Sequence, residues 1–375
     1  MPAPSSPLTA VTHEDPYPYY ADLVARQPFY RDDALGLWVA TGASAVTAAL
    51  SSELGRVRPP AEPVPRALLG SAAGEIFGRL VRMNDGATHL RLKPGVSAKL
   101  ALLDPAQIAG QAATWARHLA AEVEPGAHPE RVADVAFPLS TYVVATLLGV
   151  GPEALATTAA WTGDFVRCLA PTSTPEQIER GKAAAAELSR SFCALLRRDE
   201  LDAVVANSIG YLSQAYEATA GLVGNTLVAL GRHPDVHARL RAEPGLLRAV
   251  VREVVRHDAP VQNTRRFIAG RGTIAGQTMN EGDAVLVVLA AANRDPSVNA
   301  DPDRFDPRRR ERQAYTFGFG VHACPGEALA TAIAEAGVDA LLAAGVEPER
   351  LLERVHYRSS ANTRIPLFGS EGASA

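Results

Sequence analysis

The chain has 375 residues, with 37 Lys and Arg against 41 Asp and Glu, a formal net charge of -4, 47% hydrophobic and 21% charged residues. That balance excludes a disordered chain and allows an extensive core, and its mild acidity gives no electrostatic footprint for nucleic acid. Three widely spaced cysteines, Cys168, Cys193 and Cys324, exclude a disulfide framework or a CxxC metal site and fit a reducing, cytoplasmic setting.

The first residues lack the basic and apolar regions of a signal peptide, so no secretory or membrane-targeting segment is expected. The pattern then predicts a helix over 18–26, short strands over 29–30 and 37–40, and a helix over 42–50. A Pro-rich connection follows at 57–66. From 67 to about 204 the texture is helical, with breaks at 84–86, 124–129, 149–152 and 170–175. Thr174 is placed as a helix cap with Pro175 at the first position. The stretch 203–231 carries a single charge, Glu217, and would span about 43 Å as a helix. Asn207, Gln214, Glu217 and Asn225 are costly in lipid, so it reads as a helix buried in a large core rather than a membrane span. Helices over 234–241 and 245–257 follow.

Residues 258–295 change character, with Val, Ile and Thr punctuated by Gly. They predict strands over 266–268, 272–274, 277–279 and 284–289. An irregular region, 293–320, leads to a helix over 325–344 and a strand-like tail over 355–368. The fold class is mainly α with a small β portion, read as one domain over 1–375. Its helix-rich parts are 67–257 and 325–344, and its β-rich parts are 29–40, 258–295 and 355–368.

The sharpest feature is the run Phe317-Gly318-Phe319-Gly320-Val321-His322-Ala323-Cys324-Pro325-Gly326. Glycines before a lone Cys permit backbone conformations that other residues resist. A helix expected to start at Pro325 would aim backbone N–H groups at the sulfur and stabilise a thiolate. A lone Cys at such a junction is otherwise a small buried hydrophobe. Upstream, Glu253-Val254-Val255-Arg256 places a carboxylate and a guanidinium on one helix face.

Together these residues resemble the cytochrome P450 (haem-thiolate) family, whose signature FxxGxHxCxG is filled at Phe317, Gly320, His322, Cys324 and Gly326. The ExxR signature is Glu253–Arg256, and a PxxFxPxR stretch supplies Arg309 as a third structural partner. The resemblance implies a cytochrome P450 fold, with haem b between a central helix and the Cys loop, and Cys324 as the iron ligand. It implies cofactor-binding roles for His89, Lys93, Arg266, Phe317, Gly318, His322 and Gly326. Lys93 stands where the HxxxR pattern has Arg, giving charge without a bidentate fork. Pocket walls are expected at 58–80, 165–175, 215–219, 261–263 and 360–362, with Ala215, Val261, Gln262, Asn263 and Asn362 singled out.

The central helix departs from the family's A-G-x-(D/E)-T. Here Glu217 is the acid, Ala218 stands at the alcohol position, and Thr219 falls one residue late, about 100° around the axis. Activating dioxygen needs two protons, so a substrate group or water would replace the alcohol. Otherwise the enzyme would use peroxide or run isomerase, dehydratase or nitrene-transfer chemistry. The expected activity is a biosynthetic monooxygenase acting on a small natural-product-like substrate with O2. Two electrons would come from a ferredoxin or flavodoxin with its reductase, docking on Arg308, Arg310 and Arg312. A non-catalytic haem-binding protein is the remaining alternative. A monomer without membrane or nucleic-acid partners is expected.

Overall fold

The apolar stretch in the middle of the chain forms one helix, Ala203–Arg232, 30 residues long and buried along most of its length. Asp202 starts it by accepting from the Val204 and Val205 N–H groups at 2.8 and 2.9 Å, two donors a helix N-terminus leaves unpaired. This is a computed structural model; it describes residues 3–243 and 245–369. Around the central helix pack Pro105–Val123, Val132–Leu147, Leu155–Cys168, Pro175–Leu196 and Glu327–Ala343. Gly231 lets the chain near Pro348 approach: an added Cβ would sit 2.5 Å from the Pro348 carbonyl oxygen. Buried Asn225 is satisfied rather than stranded, donating to the Asp258 and Arg364 carbonyls at 2.9 and 3.2 Å. Thr174 and Gln177 form a reciprocal cap at the start of Pro175–Leu196, which the Thr-Pro pair alone only half predicts.

The strands are β1 (Phe29–Asp32), β2 (Leu37–Ala40), β3 (Gly55–Arg56), β4 (Thr264–Ile268), β5 (Gly272–Ile274), β6 (Gln277–Met279), β7 (Ala284–Val287), β8 (Val355–Tyr357) and β9 (Pro366–Phe368). One five-stranded sheet runs β1-β2-β7-β4-β3, with β2 and β7 parallel and Trp38 opposite Val285. The apolar run expected as a strand over 284–289 divides: β7 ends at Val287, and Leu289–Asn293 is a short helix. Ala and Asn fit a helical turn there better than an extended strand. The β5–β6 hairpin turns through Ala275 and Gly276, both at positive φ (47° and 81°), as a two-residue loop matching strand twist requires.

Chain ends are joined by Arg364, which is fully buried. Its Nε lies 2.9 Å from Asp258 Oδ1, and its remaining donors reach the Val11, His13 and Glu14 carbonyls. The guanidinium stacks 3.5 Å from the Tyr357 ring centre. No single helix among the described residues is long and apolar enough to cross a membrane.

Candidate active site

The loop before Glu327–Ala343 is shaped by two glycines in the left-handed region, Gly318 (φ 76°) and Gly320 (φ 67°), where a side chain would be strained. The Cys324 N–H donates to the Phe317 carbonyl at 2.7 Å, and the Gly318 N–H to the Tyr315 carbonyl at 2.7 Å. These bonds fold the run into a compact hook that presents the thiol. The helix starts at Glu327 with Gly326 as its cap, not at Pro325. Among the described residues only the Gly326 N–H reaches Sγ, at 3.3 Å. Burial raises the Cys324 thiol pKa; the Gly326 N–H, Lys93 and Arg82 pull the other way. The helix terminus thus stabilises the anion less than expected from sequence, and the neighbouring cations add to it.

Glu253 and Arg256, both fully buried, occupy one face of Leu246–His257. Glu253 Oε1 accepts from Arg256 Nη2 at 2.7 Å and from Arg309 Nε at 3.4 Å. Its Oε2 accepts from Arg312 Nε at 2.9 Å. Arg312, expected on a docking surface, is therefore a third guanidinium on this carboxylate. Remaining donors go to backbone: Arg256 to the Asn293, Pro302 and Arg304 carbonyls, Arg309 to those of Ala300, Asp301 and Arg304. Arg308 pairs with Glu243 at 2.6 Å, so of the three expected docking cations only Arg310 makes no ion pair among the described residues.

Above Cys324 lies a cavity of about 350 Å³ roofed by the central helix. Tyr211, Gln214, Ala215, Ala218, Thr219 and Leu222 line it, one stripe at helical spacing. Thr219 borders the cavity next to Ala218 but is only 1% exposed, in line with the one-residue offset read from the sequence. Its hydroxyl is buried without a partner. Glu217 does not line the cavity: its carboxylate accepts from Arg358 Nη1 at 2.7 Å and from the Thr363 hydroxyl at 3.4 Å.

Of the expected wall residues, Ala215 and Val261 line the cavity, and three do not. Gln262 is fully buried and donates to the Ala259 carbonyl at 2.7 Å. Asn263 donates to the Ala361 carbonyl at 2.9 Å. Asn362 is exposed, its N–H on the Ser360 hydroxyl. Pairing of this segment with the tail, Val261 opposite Thr363, turns these polar side chains away. None of 58–80, 165–175 or 360–362 reaches the wall; Val57, Val81 and Arg82 do.

Lys93, Arg266, His322, Phe317, Gly318 and Gly326 all lie on the wall. Lys93 Nζ donates to the Ala323 carbonyl at 2.7 Å. His322 Nε2 is 3.1 Å from Asp85 Oδ1, and Asp85 Oδ2 accepts from the Val57 N–H at 3.0 Å. These contacts hold the Asp85 carboxyl below its ordinary pKa despite burial. His89 stands behind the wall with its ring 4.2 Å from that of His322; its Nε2 is buried and unpartnered. A second cavity, about 370 Å³, is lined by residues including Glu130, Arg350 and Phe368 and has no thiol.

The cytochrome P450 family model matches residues 196–343. Cytochrome P450-SU2 of Streptomyces griseolus is 30% identical over 355 residues, 88% of this chain and 86% of that protein. The chain belongs to the cytochrome P450 family. The biotin biosynthesis cytochrome P450 of Bacillus subtilis (strain 168) is 26% identical over 362 residues, covering 90% of this chain and 91% of that one. Among solved structures, CalO2 superposes with a TM-score of 0.79 at 26% identity, covering 96% of this chain and 97% of that one.

As a P450 monooxygenase the protein binds haem b, and the cavity suits that group. It has a thiol on one wall and an apolar roof, and no Asp or Glu lines it. Two cations, Lys93 and Arg266, make no ion pair with a described carboxylate; burial lowers the pKa of both. Unpaired cations on the wall, one buried and one half-buried, fit a macrocycle that brings carboxylates of its own. Sequence reasoning missed Asp85, Arg82 and Arg358, and placed Arg312 on a docking surface rather than on Glu253. Asp85 alone had a usable signal, four residues before His89 in the same motif.

Proposed function

We propose that this P450 inserts one oxygen atom into a small biosynthetic intermediate, using O2 and two electrons from a ferredoxin or flavodoxin. The observation that carries the reading is the facing pair on the cavity: Cys324 on one side, the Ala218–Thr219 stripe on the other. Haem b supplies the oxidising chemistry when bound, tuned by the sulfur that Cys324 provides.

The chain's own residues then have separable tasks. Cys324 binds the iron, its anion aided by the Gly326 N–H and by Lys93. Lys93, Arg266 and His322, the last oriented by Asp85, would hold the haem carboxylates. Leu222, Val261 and Leu289 exclude water and grip an apolar substrate body. With Ala218 at the alcohol position and the Thr219 hydroxyl closed off from the cavity, a water or a group of the substrate passes the proton inward. Glu217, two residues away, sits on Arg358 and Thr363 and resupplies the proton from the surface side. Arg310, unlike Arg308 on Glu243 and Arg312 on Glu253, offers the electron donor a cation.

Ala218 favours one second reading: an enzyme supplied with hydrogen peroxide, which arrives with its protons. Turnover of the purified holoenzyme with ferredoxin, reductase and NAD(P)H, against peroxide alone, separates them. The oxygenase reading expects product only with the electron chain; equal or faster product formation from peroxide overturns it.

A further inference from the structure

We propose that Gln214 holds the substrate by a hydroxyl group, so that this P450 acts on neutral, largely apolar alcohols. The inference rests on the haem-pocket reading above and adds the chemical class of ligand. Between Ala203 and Gly231 the central helix has one exposed side chain, Gln214, and Gln214 lines the cavity above Cys324. It stands one turn before Ala218 on the same face, about 6 Å along the axis. Its amide is folded back on its own helix: Nε2 donates to the Gly210 carbonyl at 2.8 Å. Gly210 leaves room for this, since a Cβ there would lie 3.1 Å from Nε2 and 2.7 Å from Leu80 Cδ2. With the nitrogen committed to a carbonyl, the free end of the amide is Oε1, a pure acceptor. The reverse orientation would set two oxygens against each other.

The other polar side chains that this helix brings to the wall are already engaged or closed off. Asn207 Oδ1 accepts from the Val81 N–H at 2.8 Å, and its Nδ2 donates to the Ala203 and Arg79 carbonyls at 2.8 and 3.0 Å. The Tyr211 hydroxyl donates to the Val96 carbonyl at 3.1 Å, and the Thr219 hydroxyl is buried. Gln214 Oε1 accepts no hydrogen bond among the described residues. When a substrate fills the cavity such an acceptor loses its water, and a ligand hydroxyl restores the lost bond. The cavity also decides which donor. Lys93, Arg82 and Arg266 line it and no Asp or Glu does, so an ammonium would meet like charge without a counter-charge. A neutral hydroxyl has neither cost. Val96, Leu100, Leu222 and Val261 suit an aliphatic or aromatic body behind it.

The test uses the ferric holoenzyme with octanol and with its isomer heptyl methyl ether, which keeps the oxygen but has no O–H to donate. Equilibrium dialysis measures affinity, and the shift of haem from low to high spin reports entry to the pocket. On Gln214→Leu the affinity ratio of alcohol to ether should fall about fivefold or more, with the ether within about twofold of wild type. Gln214→Ala should lower the ratio likewise. An unchanged ratio, equal losses for both ligands, or no measurable binding of octanol overturns the proposal. Alcohol held by the iron instead of the amide would give the first of these results, and a merely structural role for Gln214 the second. A thiolate-type spectrum of the reduced, carbon monoxide-bound protein, alongside an unchanged ratio, fails the anchor alone. An imidazole-type spectrum fails the haem-thiolate reading with it.

Discussion

Two groups of cations meet opposite surroundings in this molecule. Around Glu253, three guanidiniums converge on one carboxylate, and their other donors end on backbone carbonyls. On the cavity wall Lys93 and Arg266 form no ion pair with a described carboxylate. The first group is closed and holds the segment 299–316 against Leu246–His257, beneath the loop that presents Cys324. The second is open, and its counter-charge has to arrive with ligands. The same residue type thus acts as scaffold or as receptor according to whether the fold supplies its partner.

The contrast breaks most visibly at the closed cluster. Glu253→Gln should cost about 3–5 kcal/mol of unfolding free energy, because it strands three cations in low dielectric. Urea denaturation of the purified protein measures it, and a loss below about 1 kcal/mol would dissolve the distinction. At the open cluster, Arg266→Met should leave the fold intact but speed haem transfer to apomyoglobin about tenfold or more. An unchanged transfer rate would remove the wall cations from propionate binding.

A third test sharpens the roof. Ala218→Thr should raise the fraction of electrons reaching product and lower hydrogen peroxide release, with substrate affinity within about twofold of wild type, while Thr219→Val should leave coupling within about twofold. A loss of about tenfold in coupling on Thr219→Val would put the proton path through that hydroxyl instead of through water or substrate.

The smallest effect is on pH dependence. His257 Nε2 donates to the Asp303 carbonyl at 3.0 Å, while Nδ1 accepts from Arg294 at 3.2 Å. Burial and the Arg294 charge push its pKa down to about 2. The unfolded imidazole takes up a proton near 6.5 and the folded one does not. The stability it contributes is complete above about pH 6.5 and is lost progressively toward pH 2. His257→Gln should flatten the fall of the urea midpoint between pH 6.5 and 5; an unaltered slope assigns that fall to other groups.

Much of this was legible from local pattern. The glycine-flanked Cys loop, the Glu253–Arg256 pair and the uncharged central helix each depend on residues close in sequence. What was not legible depends on where distant segments meet. Arg312 reaches Glu253 only because the loop after Arg309 folds back, so its charge read as solvated. Gln262, Asn263 and Asn362 were expected on the pocket wall, but pairing of that segment with the tail turns them aside. Arg82 sits in a short turn, Val81–Met83, whose direction is set by Asn207 from a helix far along the chain.

Ligation by Cys324 is the claim on which haem retention, redox tuning and the cavity's purpose depend. The absorption spectrum of the reduced, carbon monoxide-bound protein tests it directly, for wild type beside Cys324→His. The account predicts a Soret band at the thiolate-ligated position in the wild type, moving to the imidazole-ligated position in the variant. A wild-type band already at the imidazole position, or one unmoved by the substitution, would contradict it.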